Sequence, residues 1–188
     1  VLFSHQHGDQ THGINDLRVF FLKQKKEIPV YADKETFKYL KKTFSYCFQY
    51  NPTKPKSLGY PATLKIHLLK KKHKFSNLHI DCIPVNHGNI DSVSFIINKK
   101  CAYVSDAKSI YNKDLNSFKN LKFLIIDCLR YDLHPSHYNL DEVLTLVKKI
   151  KPKKTVLTNL HTDMDYKILK KKLPKNVVPA YDGFKINL

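Results

Sequence analysis

Four apolar stretches of this chain each run into a histidine or an aspartate, and that arrangement limits the folds open to it. Val1–Ser4 leads straight into His5-Gln6-His7-Gly8-Asp9. A second stretch ends at His87-Gly88, a third (Tyr103-Val104-Ser105) at Asp106, and a fourth (Val156–Leu160) at His161. Alternate residues of an extended chain point the same way, so the imidazoles of His5 and His7 can reach one metal ion. Asp9 lies at the turn beyond and can reach a second ion, and Gly8 lets the backbone turn tightly between them. In open α/β architectures, sites form at the carboxyl edge of the sheet. Four strands that each deliver a metal-type side chain to such an edge predict a layered α/β domain built around a metal site.

The remaining segments fit that prediction. Gly13–Lys25 has helical spacing, with Ile14, Leu17, Phe20 and Phe21 on one side. Ile28–Tyr31 reads as a strand. Asp33 predicts an N-cap for a helix from Lys34 to about Phe44, with Phe37, Leu40 and Phe44 recurring on one face. Tyr50–Pro61 holds three prolines and a glycine and reads as a loop. Thr63–Leu69, Leu78–Val85 and Ser92–Ile97 read as three strands of a meander, and Cys101–Val104 adds another after the Asn98-Lys99-Lys100 turn. Leu121–Asp127 is an apolar run ending in an acid. Leu140–Ile150 is an amphipathic helix behind an Asn139 cap. Lys154–Thr158 is a strand, Asp163–Leu173 a helix and Val177–Leu188 a closing extended segment. With no internal repeat and no linker, residues 1–188 are expected to form a single domain, a size that 188 residues suit.

Charge is the feature that composition adds. Lys plus Arg is 33 against 16 acids, a formal net charge of +17. Only Arg18 and Arg130 are arginines, and the lysines are spread along the chain, in Lys23–Lys26, Lys70–Lys74, Lys148–Lys154 and Lys170–Lys175. Phosphate and base readers favour the planar fork of arginine, so a solvated surface is the leading reading and a polyanion-binding face the alternative. The cysteines (Cys47, Cys82, Cys101 and Cys128) form no C-x-x-C pair and are expected as buried reduced thiols of a cytoplasmic protein. No window approaches ~18 consecutive apolar residues, which excludes a transmembrane helix.

The run Ser-His-Gln-His-Gly-Asp-Gln-Thr-His-Gly at Ser4–Gly13 resembles the T-H-x-H-x-D-H signature of the metallo-β-lactamase superfamily. His87-Gly88, Val104-Ser105-Asp106 and Leu157–His161 match its remaining metal motifs in order. The resemblance continues to Tyr181-Asp182-Gly183. Gly13–Arg18 and His134-Pro135-Ser136-His137 look like the phosphonate-pathway cyclic phosphodiesterase (PhnP-like) branch. The resemblance implies an αββα sandwich with a dinuclear site at one edge of the two sheets. It assigns His5, His7 and His87 to one divalent ion, zinc or manganese, and Asp9 and His161 to a second, with Asp106 bridging. Two such ions lower the pKa of a shared water to give a nucleophile at neutral pH, and they clamp phosphoryl oxygens. His137 is then the expected proton donor to the leaving alkoxide, with His134 in a supporting place. The implied catalytic set is therefore His137, Asp9 and Asp106.

Two departures from the family pattern shape the expectations. Gln10 stands where the family has a metal-binding histidine, and an amide oxygen is the poorer zinc ligand. The second site is thus expected to bind more weakly, to prefer manganese or to stay empty, with His12 as a substitute ligand or as a group that orients one. Only four residues precede His5, where the family has a strand-rich segment. The sequence is therefore expected to lack the first strands of the sandwich, leaving edges that invite self-association. Arg18 and Arg130 are expected either in a salt bridge, with Asp16 or Asp127, or on a substrate phosphate. His67, His73 and His79 read as structural or surface residues. The function expected is a phosphodiesterase acting on a small cyclic or nucleotide-like phosphodiester. The alternatives are an RNA-processing nuclease of the same superfamily and a non-catalytic binding protein with an impaired metal site.

Overall fold

The computed structural model describes residues 1–48 and 63–188, which fall into two compact units, Val1–Lys70 and Lys71–Leu188. The expected Tyr50–Pro61 loop lies outside the described residues.

In the first unit, β1 (Ile28–Ala32) pairs in parallel with β2 (Leu64–Leu68), Ile28 opposite Leu64. The Val1–Ser4 segment is extended, and it reaches β1 through one bridge, Leu2 to Tyr31. Phe3 N–H donates to the Tyr31 carbonyl and Tyr31 N–H to the Val1 carbonyl, both at 2.9 Å. The helix expected over Gly13–Lys25 is broken. α1 (Gly8–Thr11) passes into a 3-10 stretch, His12–Leu17, and then into α2 (Arg18–Gln24). A 3-10 turn holds about three residues rather than 3.6, so the apolar stripe drifts around the axis. Ile14 is consequently buried while Phe20 is 53% exposed. α3 (Lys34–Thr43) starts as expected, with the Asp33 carboxylate accepting from Thr36 N–H at 2.9 Å. Phe3, Ile14, Val30, Leu40, Cys47 and Leu64 form this unit's core.

The second unit holds a seven-stranded sheet in the order β3-β4-β5-β6-β7-β8-β9. Its strands are β3 (Lys72–Phe75), β4 (Leu78–His87), β5 (Ile90–Ile97), β6 (Cys101–Val104), β7 (Phe123–Asp127), β8 (Lys154–Thr158) and β9 (Val177–Pro179). The expected meander is corrected at one end. The strand read at Thr63–Leu69 pairs with β1, and the antiparallel partner of β4 is β3. An alternating pentapeptide such as Leu-Lys-Ile-His-Leu favours a strand without naming its neighbour.

Strand direction then places the chemistry. β4 runs antiparallel to β5 and β5 antiparallel to β6, whereas β6 to β9 are mutually parallel. β4 therefore points the same way as β6 to β9, and the carboxyl ends of these strands share one edge of the sheet. His87, Asp106, Asp127 and His161 all come at or just beyond those ends. The edge is held by helix α4 (Leu140–Ile150), which opens with a reciprocal cap. Asn139 Oδ1 accepts from Glu142 N–H at 2.9 Å, and Asn139 N–H donates to Glu142 Oε2 at 3.0 Å. α4 buries Val143, Val147 and Ile150 in a core with Phe118, Leu124 and Ile126. Each such side chain contributes about 1.5–3 kcal/mol by leaving water. α5 (Tyr166–Lys172) is shorter than the helix read from the sequence and is capped by Asp165.

Candidate metal centre

The first unit brings its two leading histidines together. His5 is buried, His7 is exposed, and His5 Nε2 lies 3.0 Å from His7 Nδ1. Tetrahedral zinc ligands at ~2.0 Å from the ion stand roughly 3.3 Å apart, so this pair is spaced as two ligands of one cation are. Ser4 Oγ lies 3.1 Å from His5 Nδ1 and holds the ring from behind. Asp9 is exposed on α1 and accepts from the Gln10 amide, Gln10 Nε2 to Asp9 Oδ2 at 3.0 Å. Burial pushes the Asp9 carboxyl up. The Gln10 amide, the local backbone and the His5 and His7 imidazoles outweigh it and hold the carboxyl below its ordinary value. His12 packs its ring edge-on to Phe44 and over Gly8, where an added Cβ would meet it at 3.1 Å. Arg18 opens α2 and is half-buried.

The second unit presents a tighter arrangement. His87 ends β4 and is buried, and its Nδ1 lies 2.7 Å from the Ser136 carbonyl. A carbonyl can only accept, so Nδ1 carries the proton and Nε2 is left with its lone pair for a cation. That Nε2 is 3.9 Å from Asp106 Oδ2. Asp106 is buried too. Ser105 Oγ donates to its Oδ1 at 3.0 Å, and Ser92 Oγ donates to its main-chain carbonyl at 2.5 Å. Gly88 has φ +70° and presses on the same loop, since a Cβ there would come within 2.8 Å of Ser136 Cβ.

His137 belongs to this group through a partner the sequence reading did not assign. Its Nδ1 lies 2.6 Å from Oδ2 of the fully buried Asp127. Ala107 N–H and Asn159 Nδ2 each donate to Asp127 at 3.3 Å. Burial raises the Asp127 carboxyl above its ordinary value, against the pull of His137. The His137 ring stands edge-on to His87 at 4.7 Å and to His134 at 4.9 Å. His134 Nδ1 accepts from Ser136 N–H at 3.3 Å, and burial, followed by the positive neighbours, lowers its pKa.

Other candidates stand apart. His161 shares the sheet edge but is 55% exposed, its Nδ1 2.9 Å from Asp163 Oδ1. The salt bridge expected between an arginine and Asp127 gives way to the Asp127–His137 pair. Arg130 instead donates to the carbonyls of Leu133 at 2.5 Å and Asp132 at 3.4 Å, pinning its own loop. All four cysteines are free and buried, and burial pushes the thiol of Cys128 up to about 12 and, with Asp81, that of Cys82 to about 11. Among the described residues, no helix is long and apolar enough to cross a membrane.

These sites define the class of protein. Residues 1–159 match the Beta-lactamase superfamily domain, and the chain belongs to that superfamily, the metallo-β-lactamase fold hydrolases. It is similar in structure to a diphosphatase of the PhnP family, with a TM-score of 0.87 and 25% identity, covering 98% of this chain and 68% of that one. It has the same fold as the metallo-β-lactamase fold protein YhfI from Bacillus subtilis (TM-score 0.74, 17% identity, 98% of this chain and 75% of that one). The human short-form tRNase Z also shares it (TM-score 0.69, 16% identity, 99% and 77%). Among curated sequences, an octanoyltransferase of Porphyromonas gingivalis is 27% identical over 190 residues, covering 97% of this chain and 36% of that protein. The chain thus spans about a third of that relative's length. The superfamily implies divalent-metal binding, and His5, His7, His87 and Asp106 each offer a ligand atom of the right chemistry.

Proposed function

We propose that the chain is a metal-dependent phosphodiesterase acting on a small cyclic or nucleotide-like phosphodiester. The observation that carries this reading is the Asp127–His137 pair on the sheet edge that also bears His87 and Asp106. When water attacks a phosphodiester, the broken P–O bond releases an alkoxide, and that alkoxide needs a proton. Asp127 accepts the Nδ1–H of His137, so the proton that His137 exchanges with a substrate sits at Nε2. The buried carboxylate also stabilises the imidazolium while the ring is charged. The likeness to the PhnP-family diphosphatase supports a substrate that carries a phosphoryl group.

His5, His7 and His87 would hold the first divalent ion, and Asp9 and His161 the second, with Asp106 serving both. One family match runs through both His5-Gln6-His7 and His87, which supports pooling these ligands into one centre. Bound divalent ions polarise phosphoryl oxygens and acidify water. Ser136 aims His87 by accepting its Nδ1–H on the main-chain carbonyl, and Ser105 aims Asp106 by donating its hydroxyl to Oδ1. Gln10 holds Asp9 Oδ2, so a second ion competes with that hydrogen bond, and manganese suits the oxygen-rich set better than zinc. Arg18 remains a candidate for a substrate phosphate, whereas Arg130 is committed to its loop. The buried free thiols support a cytoplasmic location.

A second reading, an RNA-processing nuclease, draws on the net charge of +17. Parallel assays with bis(p-nitrophenyl) phosphate, a 2′,3′-cyclic nucleotide and a transfer-RNA precursor separate the two. The small diesters are expected to turn over with added manganese or zinc, and the precursor to stay intact. Cleavage of the precursor alone would overturn the proposal in favour of the nuclease, and inertness towards all three would favour the binding protein.

A further inference from the structure

The loop between β7 and α4 carries a hydrogen-bond donor that neither the metal-type residues nor the Asp127–His137 pair uses. This loop is pinned along its length. Leu129 N–H donates to the Tyr138 carbonyl at 3.0 Å, and Tyr138 N–H to the Ala107 carbonyl at 2.7 Å. Asn139 Nδ2 donates to the Tyr131 carbonyl at 3.1 Å, and Lys172 Nζ lies 5.5 Å over the Tyr131 ring. Arg130 holds the carbonyls of Asp132 and Leu133. A side chain on a loop fixed in this way keeps its place beside the site.

The donor belongs to His134. Its ring is half-buried and centred 4.9 Å from that of His137, at an interplanar angle of 65°. Nδ1 accepts from Ser136 N–H at 3.3 Å, and Ser136 Oγ lies at the same distance. A main-chain N–H can only donate, so Nδ1 keeps its lone pair and the neutral ring carries its proton on Nε2. Burial, followed by the positive charge of His137, Arg130 and Lys108, favours that neutral form. Among the described residues, no group accepts the Nε2–H. One plain explanation is that His134 only fixes Ser136, whose carbonyl orients His87. That role uses Nδ1 alone, and Asp, Asn or Ser is the commoner acceptor for an N–H two residues on. Histidine adds a second nitrogen that faces largely away from the first.

We propose, building on the phosphodiesterase reading, that His134 contacts the leaving alcohol and selects for it. In that reading water adds to phosphorus and the P–O bond to the alcohol breaks. The departing oxygen takes the proton from His137 Nε2, so it lies against His137 and the next atoms of the alcohol lie beside His134. The His134 Nε2–H then donates to an oxygen on the carbon adjoining the ester carbon. The substrates favoured are diesters of polyols and sugars, which carry such an oxygen, over diesters of plain alkyl alcohols.

Glycerol 1,2-cyclic phosphate, supplied with manganese, tests the proposal. Its opening yields glycerol 1-phosphate when O2 leaves and glycerol 2-phosphate when O1 leaves. Only a leaving O2 has a free hydroxyl on an adjoining carbon, C3. The cyclic phosphate of propane-1,2-diol lacks that hydroxyl and serves as the control. Phosphorus NMR reads both product ratios, and any residual turnover suffices. The natural chain should favour the 1-phosphate from glycerol by about fivefold over the corresponding ratio for the control, the worth of one neutral hydrogen bond. His134→Ala should erase that excess and leave the control ratio unmoved. His134→Gln, whose amide keeps an N–H donor, should retain most of it. An unchanged glycerol ratio in His134→Ala would overturn the proposal. An equal shift in the control would do the same, reducing His134 to a support for His137. Loss of all turnover in both variants would assign His134 to structure and also overturn it. If the natural chain opens neither diester, the phosphodiesterase reading falls and this inference with it, whereas turnover with an unmoved ratio strikes His134 alone.

Discussion

The two units hold their metal-type side chains on different kinds of scaffold. His87 and Asp106 come from interior strands of a seven-stranded sheet, and both are buried, 2% and 3% exposed. Each is also fixed by a neighbour, His87 by the Ser136 carbonyl and Asp106 by Ser105. His7 and Asp9 come from a loop and a four-residue helix, and both are exposed. Asp9 is held by Gln10 rather than by a buried partner. Side chains buried on the sheet are held in place by their neighbours, whereas exposed His7 and Asp9 have more room to move. The first kind loses most when altered, because its neighbours have no room to regroup.

The largest effect should follow from removing a sheet ligand. Asp106→Ala should lower phosphodiesterase activity about a thousandfold or more, the several kcal/mol of transition-state stabilisation that metal clamping supplies. His7→Ala should cost less, since exposed His12 or water can approach the vacated position. Steady-state rates at saturating manganese check the order, and a costlier His7→Ala would break the comparison.

Removing the proton donor comes next. His137→Ala should slow a diester with an alkoxide leaving group by roughly 10²–10⁴-fold. With p-nitrophenolate, which leaves without a proton, the loss should be far smaller. Asp127→Asn should show the same dependence on the leaving group, weakened. Equal losses with both leaving groups would mean the pair serves structure alone.

Gly88 and Gly8 provide a smaller contrast. Gly88→Ala puts a Cβ 2.8 Å from Ser136 Cβ at φ +70°, and should destabilise the second unit by about 2–3 kcal/mol. Gly8→Ala meets only the His12 side chain, at 3.1 Å, and should cost under about 1 kcal/mol. Denaturant titrations check both, and equal costs would erase the distinction.

The smallest effect concerns alkali. Burial pushes Tyr138 up to about 12, as it does Cys128, and both lie in the second unit. Above pH ~9–10 the unfolded chain releases these protons while the native chain keeps them. The unfolded state then binds fewer protons, so stability falls as pH rises from about 9 towards 12. Tyr138→Phe should flatten part of that fall, measured by thermal unfolding across the range.

How much of this was legible in the sequence follows from the range of the interactions involved. α3 and α4 were readable because Asp33 and Asn139 cap helices a few residues away and the apolar stripe repeats locally. The partner of β2 was not, because pairing with β1 joins residues 36 apart, Ile28 and Leu64. β3, Lys-His-Lys-Phe, was missed for want of apolar alternation, as suits an edge strand. The metal-type residues stood out as acids and histidines ending apolar runs. Asp127 carried the same mark, since it ends the run Phe123–Ile126, but charge alone suggested an arginine. What pairs it with His137 is the loop after β7, whose course no local pattern records.

The most direct test of the central claim is a metal titration of the full chain, followed by competition with a calibrated chelator. The account predicts one tight equivalent of zinc or manganese that His87→Ala abolishes. It also predicts a second, weaker equivalent that Gln10→His tightens by about tenfold, as expected when imidazole replaces an amide. Binding that survives His87→Ala unchanged, or no stoichiometric binding at all, would contradict it.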